Sequence, residues 1–171
     1  MSLQIAGSIR IEAPREVVWA GLNDPELLRL LIPRCEELHR LSAHELRAVV
    51  CGRVGPIRVR LAGRLVIDES IAPEHYRMRG AGEGGVAGMA RGTVRVRLTP
   101  VGGATKLDYV AEAEMGGRLA VLGQRILAGA ARRFADRFLT AFATALAAAV
   151  KSGPDGAGMT RQNGAGQVRG K

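Results

Sequence analysis

Residues 118–150, RLAVLGQRILAGAARRFADRFLTAFATALAAAV, decide the fold of this chain. Apolar residues recur in this stretch at steps of three and four positions, which places them along one side of an α-helix. They are Leu119, Leu122, Ile126, Ala130, Phe134, Phe138, Phe142 and Leu146. The spacing predicts one long amphipathic helix that begins after Gly116-Gly117 and ends near Val150, where Lys151, Gly153 and Pro154 form a stop signal.

The preceding part of the chain, residues 36–115, is typical of β-strands. We predict strands at residues 37–42, 45–54, 57–71, 74–81, 89–99 and 105–115, separated by turns rich in glycine and proline. Short connections of this kind favour an antiparallel meander. Within residues 57–71 apolar side chains alternate with charged ones, so one face of that strand is apolar. A four-residue turn at residues 100–103 would place Arg95 opposite Asp108 and Val96 opposite Leu107.

The N-terminal segment adds one strand and two short helices. Residues 3–11 alternate apolar and polar positions, which predicts a half-buried strand. Pro14 suits the first position of one helix, and Asp24 and Pro25 suit the cap and first position of the next. The long helix is the only element large enough to cover the sheet. We therefore predict one α+β domain at residues 1–152, with a curved antiparallel sheet of about seven strands around that helix, and a disordered glycine-rich polar tail at residues 153–171.

Composition limits the class of protein. The chain has 171 residues, which favours one domain, and 47% of them are hydrophobic. Its net charge is +9, and 22 of its 25 basic residues are arginine. Such a composition is typical of a GC-rich coding sequence and also suits an anionic partner, so the charge leaves both explanations open. The apolar run at residues 138–150 is too short to span a bilayer and the N-terminus resembles no secretory signal, so a cytoplasmic location is expected.

Residue patterns of common catalytic and metal sites are missing from the sequence. The histidines His39, His44 and His75 form no metal-binding motif, and no serine lies in a GxSxG motif. Cys35 and Cys51 do not form a CxxC pair and are expected to be reduced thiols. The glycine-rich segment 82–92 lacks the helix and the Lys-Ser/Thr pair of a phosphate-binding loop. We therefore expect no catalytic residue, no metal and no covalently bound cofactor.

Several segments resemble the START/Bet v 1-like (SRPBCC) superfamily and, within it, the G-subunit family of carbon monoxide dehydrogenase. The superfamily likeness lies in IEAPREVVW at residues 11–19 and LNDPE at residues 22–26. The narrower likeness lies in IPRCE (32–36), VGP (54–56), GEGGVAGMARG (82–92) and GRLA (117–120). The resemblance covers roughly residues 3–148. It implies the helix-grip fold, in which a curved sheet wraps around a long C-terminal helix.

The resemblance also implies a function. Members of this family are non-catalytic accessory proteins of molybdenum-type dehydrogenases that oxidise carbon monoxide, linked to holding the enzyme at the membrane and to carrying a quinone or similar lipid. Many relatives have a hydrophobic C-terminal extension, whereas residues 153–171 here are polar. A shuttle, or a weak peripheral association with the inner face of the cytoplasmic membrane, is therefore expected. The alternatives are a polyketide cyclase or aromatase-like enzyme of the same fold, and a basic adaptor without a ligand.

A ligand pocket between the sheet and the helix would be lined by apolar side chains. The candidates are Trp19, Leu27, Leu31, Met78, Met89, Leu122, Ile126 and Phe134. Small residues at positions 128–131 either leave room for the ligand or pack closely on the sheet. The glycine-rich segment is a candidate gate over the pocket mouth, or a plain hairpin connection. The gate residues are Gly82, Glu83, Gly84, Gly85 and Gly88.

A surface for a membrane or a partner protein is predicted on the charged strand faces. Its candidate residues are Arg58, Arg60, Arg64, Arg95 and Arg97. Basic groups of this kind attract anionic lipid. Nucleic-acid binding is not expected, because the phenylalanines lie on the helix stripe rather than on a basic strand face, which leaves no stacking platform.

Overall fold

We describe residues 1–153 of a computed structural model, with the side chain of Glu69 left aside. Apart from Gly153, the tail predicted at residues 153–171 lies outside the described residues. The strands are β1 Ser2–Ile11, β2 Cys35–Ser42, β3 Glu45–Val54, β4 Ile57–Ile71, β5 His75–Glu83, β6 Met89–Val101 and β7 Ala104–Gly116. The helices are α1 Arg15–Leu22, α2 Pro25–Leu31, α3 Arg118–Val121 and α4 Gln124–Lys151, and a 3-10 turn lies at Gly85–Ala87.

The seven strands form one antiparallel sheet in the order β1-β7-β6-β5-β4-β3-β2. Successive strands from β2 to β7 are neighbours in the sheet, and β1 pairs with β7 at the far edge. This confirms the predicted fold class, a seven-stranded sheet with a long C-terminal helix and two short helices after the first strand. Asp24 caps α2, since its Oδ1 accepts hydrogen bonds from the backbone N–H groups of Glu26 and Leu27 at 3.1 and 3.3 Å.

The prediction of one unbroken C-terminal helix is wrong at one position. Gly123 has a φ of +88°, a backbone conformation that residues with a Cβ rarely adopt. The chain therefore leaves α3 here and starts again as α4, although the apolar spacing runs across the break. Periodicity reports which side of a helix is apolar, and it does not report a local change of backbone conformation.

The predicted pairing of β6 with β7 is also wrong, by two residues. The turn contains only Gly102 and Gly103, and Gly102 has a φ of +63°. Because the strands continue further than expected, Asp108 lies opposite Arg97 instead of Arg95. A shift of two positions leaves every side chain on its predicted face, since side chains alternate along a strand.

The core forms where one face of the sheet, the inner face, meets the helices. A first cluster joins α1 and the C-terminal half of α4 to β5, β6 and β7, with Ile11, Val18 and Phe142 completely buried. A second cluster joins α3 and the N-terminal half of α4 to β1 and β4, through buried residues such as Leu3 and Leu127. The arginine-rich outer face of the sheet points away from α4. The inner face is therefore the place where a ligand could lie against apolar side chains.

Candidate functional site

The inner face of the sheet is covered unevenly. The helix α4 packs chiefly against β1, and the inward side chains Leu3, Ile5 and Leu107 at that edge are fully buried. Among the inward side chains of the middle strands, Val59, Tyr76 and Val96 are buried, whereas several others are partly exposed and border the space between these strands and α4. We term this space the inner groove. It is defined by Val50, Val54, Leu61, Leu65, Ile67, Met78 and Val94.

Glycines occupy several inward positions around the inner groove. Gly63 lies opposite Gly82, and Gly80 lies opposite Gly92. A Cβ on Gly63 or Gly92 would collide with the backbone of the neighbouring strand, so the close approach of the strands requires glycine there. At Gly52 the reason is different, because a Cβ would meet no heavy atom of the described residues within 4 Å. The position lies in open space.

Two tyrosines give the inner face its few polar atoms. Tyr76 is buried and packs edge-on against Trp19, with ring centroids 5.6 Å apart. Burial raises the pKa of Tyr76 to about 12. Tyr109 lies over Gly7, and its pKa is raised mainly by burial and further by the charge of Asp136. Both phenols are therefore neutral at pH 7.

Charged groups are rare inside the protein. Within residues 1–153, Thr105 is the one polar residue that is fully buried, and its hydroxyl donates to the backbone oxygen of Ala13 at 2.8 Å. No cluster of three or more His, Cys, Asp or Glu side chains that could hold a metal ion occurs in the part of the chain that the structure describes. What the inner groove offers chemically is an apolar lining with neutral hydrogen-bonding groups nearby.

Five of the eight predicted pocket residues pack half-buried around the core. Trp19, Leu27, Leu31 and Met78 pack against the first cluster, and Leu122 packs against the second. Met78 lies in the inner groove itself, and Trp19 lies at its end, against Tyr76. The structure thus brings one end of the predicted pocket together.

The other three predicted pocket residues are exposed. Met89 is 46% exposed and shares the outer face of the sheet with Arg91, so it points away from the inner groove. Ile126 is 43% exposed and lies beside Gly55 in the β3–β4 turn, and Phe134 is 41% exposed on α4. The sequence shows that all three side chains are apolar, but it does not show how far the sheet extends around the helix and so which of them it buries. The small residue Gly129 has no sheet atom within 4 Å of its Cβ position.

The predicted gate lies at one end of the inner groove. Gly82 and Glu83 end β5, and Gly84 lies beside the Leu61 side chain of the groove. The segment is held in place by a hydrogen bond from the backbone N–H of Gly84 to the oxygen of Gly88 at 2.8 Å. Gly85 and Gly88 have φ angles of +57° and +109°, which glycine adopts without strain. Movement of this segment stays a prediction.

The predicted basic surface is divided into separate sites. Arg64 pairs with Glu45 at 2.9 Å on the outer face, within a groove of about 840 Å³ that crosses β1, β7, β6, β5 and β4. Arg95 and Arg97 are exposed on β6, and Arg97 lies opposite Asp108. Arg58 and Arg60 line a different cavity of about 730 Å³.

Sequence reasoning missed two further arginines of that second cavity. Arg34 and Arg53 join Arg58 and Arg60 in its lining. Arg34 is far from the others in the sequence, and its backbone oxygen accepts a hydrogen bond from the N–H of Cys51 at 3.0 Å. One signal in the sequence could have pointed to Arg34: it lies within IPRCE, a segment that carries the family resemblance. The resemblance assigns no role to that segment.

Comparisons with known proteins place the chain in a family. Residues 7–147 match the model of the carbon monoxide dehydrogenase G-subunit (CoxG) family. The chain belongs to the CoxG family. No curated protein matches this CoxG-family chain. In the part of the protein that the structure covers, no helix is long and apolar enough to cross a membrane.

Solved structures with the same fold include three informative examples. A conserved protein from Geobacillus kaustophilus is 28% identical, with a TM-score of 0.80 over 86% of this chain and 97% of its own. The Zhui aromatase/cyclase from Streptomyces sp. R1128 is 14% identical, with a TM-score of 0.67 over 89% of this chain and 98% of its own. Ara h 8.0201 is 12% identical, with a TM-score of 0.61 over 86% and 99%. The last two show the shared helix-grip, Bet v 1-like fold alone.

Proposed function

We propose that this CoxG-family protein binds an apolar ligand, a quinone or a lipid, in the inner groove and assists a molybdenum-type carbon monoxide dehydrogenase at the membrane. In this proposal the protein is a non-catalytic accessory protein without a covalently bound cofactor. It works on the cytoplasmic side, with peripheral contact at the inner face of the membrane. The partner follows from the family, whose description names a subunit of carbon monoxide dehydrogenase.

One observation carries the ligand proposal. Seven large apolar side chains point toward α4 from β3, β4, β5 and β6 and yet remain half-buried. An apolar molecule that covers them removes surface from water at about 25 cal/mol per Å². The helix packs chiefly against β1, and in this proposal the ligand covers the part of these side chains that the core clusters leave exposed.

The polarity of the inner face favours a neutral ligand. A charged metabolite would need a buried counter-charge, since an ion loses its hydration in such a site. Tyr76 and Tyr109 supply neutral hydroxyl groups instead, and each can donate a hydrogen bond to a carbonyl oxygen. A quinone combines a flat apolar ring with two such oxygens. Neutral hydroxyl groups beside an apolar lining are what support a binding role in this proposal.

The single tryptophan provides a direct test of quinone binding. Trp19 lies at the end of the inner groove, so a bound short-chain quinone should quench its fluorescence in a saturable way. Val94→Lys places a charge on the inner face and should weaken binding at least about tenfold, because the ammonium group would have to be desolvated under the ligand. Thr93→Lys is the matched control, since Thr93 is adjacent, half-buried and on the outer face.

The two variants separate the possible results. Saturable quenching that Val94→Lys removes and Thr93→Lys retains would support the proposal. Equal affinity in both variants, with circular dichroism showing that both are folded, would contradict binding in the inner groove. Native mass spectrometry of purified protein before and after organic extraction gives a second measurement, in which a lost apolar mass is expected.

The role beside the dehydrogenase needs the partner itself. We expect the purified dehydrogenase and this protein to form a complex in size-exclusion chromatography. We also expect the protein to speed the reduction of membrane quinone by the dehydrogenase during carbon monoxide oxidation. Val94→Lys should still form the complex but lose the acceleration. No acceleration by the unaltered protein would contradict the accessory role.

A further inference from the structure

The cavity of about 730 Å³ at the end of the β3–β4 hairpin is strongly basic. We term it the arginine cleft, and its lining includes Arg34, Arg53, Arg58 and Arg60 together with Val86. Among the described residues, Arg60 alone of these four arginines has an ion-pair partner, Glu36, whose Oε2 lies 3.0 Å from the arginine Nε. The cleft therefore carries a net charge of about +3 from these groups.

Strand pairing places these charges together at an electrostatic cost. Arg53 lies directly opposite Arg58 in the β3–β4 ladder, and like charges at such positions repel each other. Arg34 is held nearby with a φ of +53°, a conformation that residues other than glycine rarely adopt. An anion that binds between the guanidinium groups would relieve the repulsion between Arg53 and Arg58.

Glu36 contacts two residues that line the arginine cleft, Cys51 and Arg60. Its carboxylate accepts a hydrogen bond from the thiol of Cys51 at 2.9 Å and pairs with Arg60. The bond to Glu36 raises the pKa of Cys51, so the thiol is protonated and donates to this carboxylate at pH 7. The carboxylate thus orients Arg60 and leaves the other three guanidinium groups available to a ligand.

An apolar side chain stands at the rim of the arginine cleft. Val86 is 77% exposed at the tip of the 3-10 turn, while its neighbour Ala87 is buried and fixes that turn in the second core cluster. An exposed apolar residue next to clustered arginines is what a protein needs to enter the boundary between lipid headgroups and acyl chains. A free inorganic anion would gain nothing from the apolar side chain of Val86.

We propose that the arginine cleft binds the phosphodiester headgroup of an anionic phospholipid, with Val86 inserted among the neighbouring lipid chains. Arginine suits this role because its planar guanidinium group donates two parallel hydrogen bonds to phosphate oxygens. This inference rests on the proposed function, which places the protein at a membrane. It adds which part of the protein contacts that membrane. The β3–β4 hairpin and the glycine-rich segment would then face the bilayer.

Vesicle co-sedimentation tests the proposal, with phosphatidylcholine vesicles that contain or lack phosphatidylglycerol. The double variant Arg53→Gln/Arg58→Gln should bind the anionic vesicles about 30-fold more weakly, because each basic group near an anionic surface strengthens binding about fivefold. Arg95→Gln/Arg97→Gln removes the same charge from exposed positions on β6 and should bind within about threefold of the unaltered protein. Val86→Ser should weaken binding about fivefold.

The possible results are distinguishable. Selective loss in Arg53→Gln/Arg58→Gln supports the proposal. Equal loss in both double variants would show attraction by overall charge alone and would overturn it, as would no loss in either. Millimolar glycerol phosphate should not displace the unaltered protein from vesicles. If it weakened vesicle binding as much as the change Arg53→Gln/Arg58→Gln does, the cleft would be a site for free phosphate compounds, and the lipid assignment would be overturned. If Arg53→Gln/Arg58→Gln still bound vesicles but no longer bound the dehydrogenase, the cleft would be a protein-docking site, which would also overturn the proposal.

Two measurements keep this test apart from that of the proposed function. Quenching of Trp19 by quinone should be unchanged in Arg53→Gln/Arg58→Gln, since the ligand of the inner groove does not contact these arginines in our proposal. The thermal midpoint of this double variant should equal or exceed that of the unaltered protein, because the repulsion between the paired arginines is removed. A failed vesicle assay with normal quenching would reject the arginine cleft alone.

Discussion

Two phenylalanines on α4 give a sharp test of how the helix is seated on the sheet. Phe142 is completely buried and stacks on Phe138 with ring centroids 5.6 Å apart, whereas Phe134 is 41% exposed. Truncating a buried phenylalanine to alanine removes its transfer free energy and leaves a cavity, at a cost of about 3–5 kcal/mol. We therefore expect Phe142→Ala to lower the free energy of unfolding by about that amount.

Phe134→Ala is the matched control, because it makes the same chemical change on the same helix. The loss of a half-exposed ring is offset in part by the better helix propensity of alanine, so the expected change is within about 1 kcal/mol. Urea unfolding followed by circular dichroism at 222 nm measures both variants. For a domain of this size, Phe142→Ala should also lower the thermal midpoint by roughly 6–20 °C.

The comparison can fail in a clear way. Equal destabilisation by Phe134→Ala and Phe142→Ala would mean that the whole apolar stripe of α4 is covered, as the periodicity of the sequence alone would suggest. In that case the uneven covering of the sheet would be refuted. The case for open apolar surface between α4 and the middle strands would fall with it.

Three further changes test single contacts. Asp24→Ala removes the cap of α2 and should lower the free energy of unfolding in urea by about 0.5–2 kcal/mol. Asp24→Asn is the control, since asparagine is expected to keep the cap. Thr105→Val leaves the buried oxygen of Ala13 without its donor and should cost about 1–3 kcal/mol; a neutral result would mean that the hydrogen bond adds nothing. The pKa of Tyr76 is raised to about 12 in the folded protein. Below pH 10 its phenol is neutral in both the folded and the unfolded state, so its contribution to the free energy of unfolding is fully present. That contribution falls as pH rises from 10 toward 12, because only the unfolded chain ionises there. Tyr76→Phe should flatten that part of the pH profile of unfolding, and an unchanged slope would contradict the assignment.

Local signals in the sequence were sufficient for most of the strands. The predicted bounds of β3 and β4 agree with the structure, because Gly55-Pro56 marks the turn and the two-residue alternation sets the face of each side chain. The predicted register of β6 on β7 was wrong because the length of a glycine turn is decided by φ angles that composition does not reveal. The family resemblance supplied the family and the fold by name; the family match confirms the first, and the sheet order with its structural neighbours confirms the second.

The sequence by itself determined the periodicities, and so which residues are apolar on each element and in what order the elements follow. Only the tertiary structure decided which of those residues are covered. Phe134 and Phe142 belong to one stripe, but α4 lies toward β1 and buries only one of them. The arginine cleft likewise depends on Arg34 approaching Cys51 across 17 positions of the chain. The physical reason is that side-chain periodicity arises within one element, whereas burial and charge clustering arise from the distances between elements.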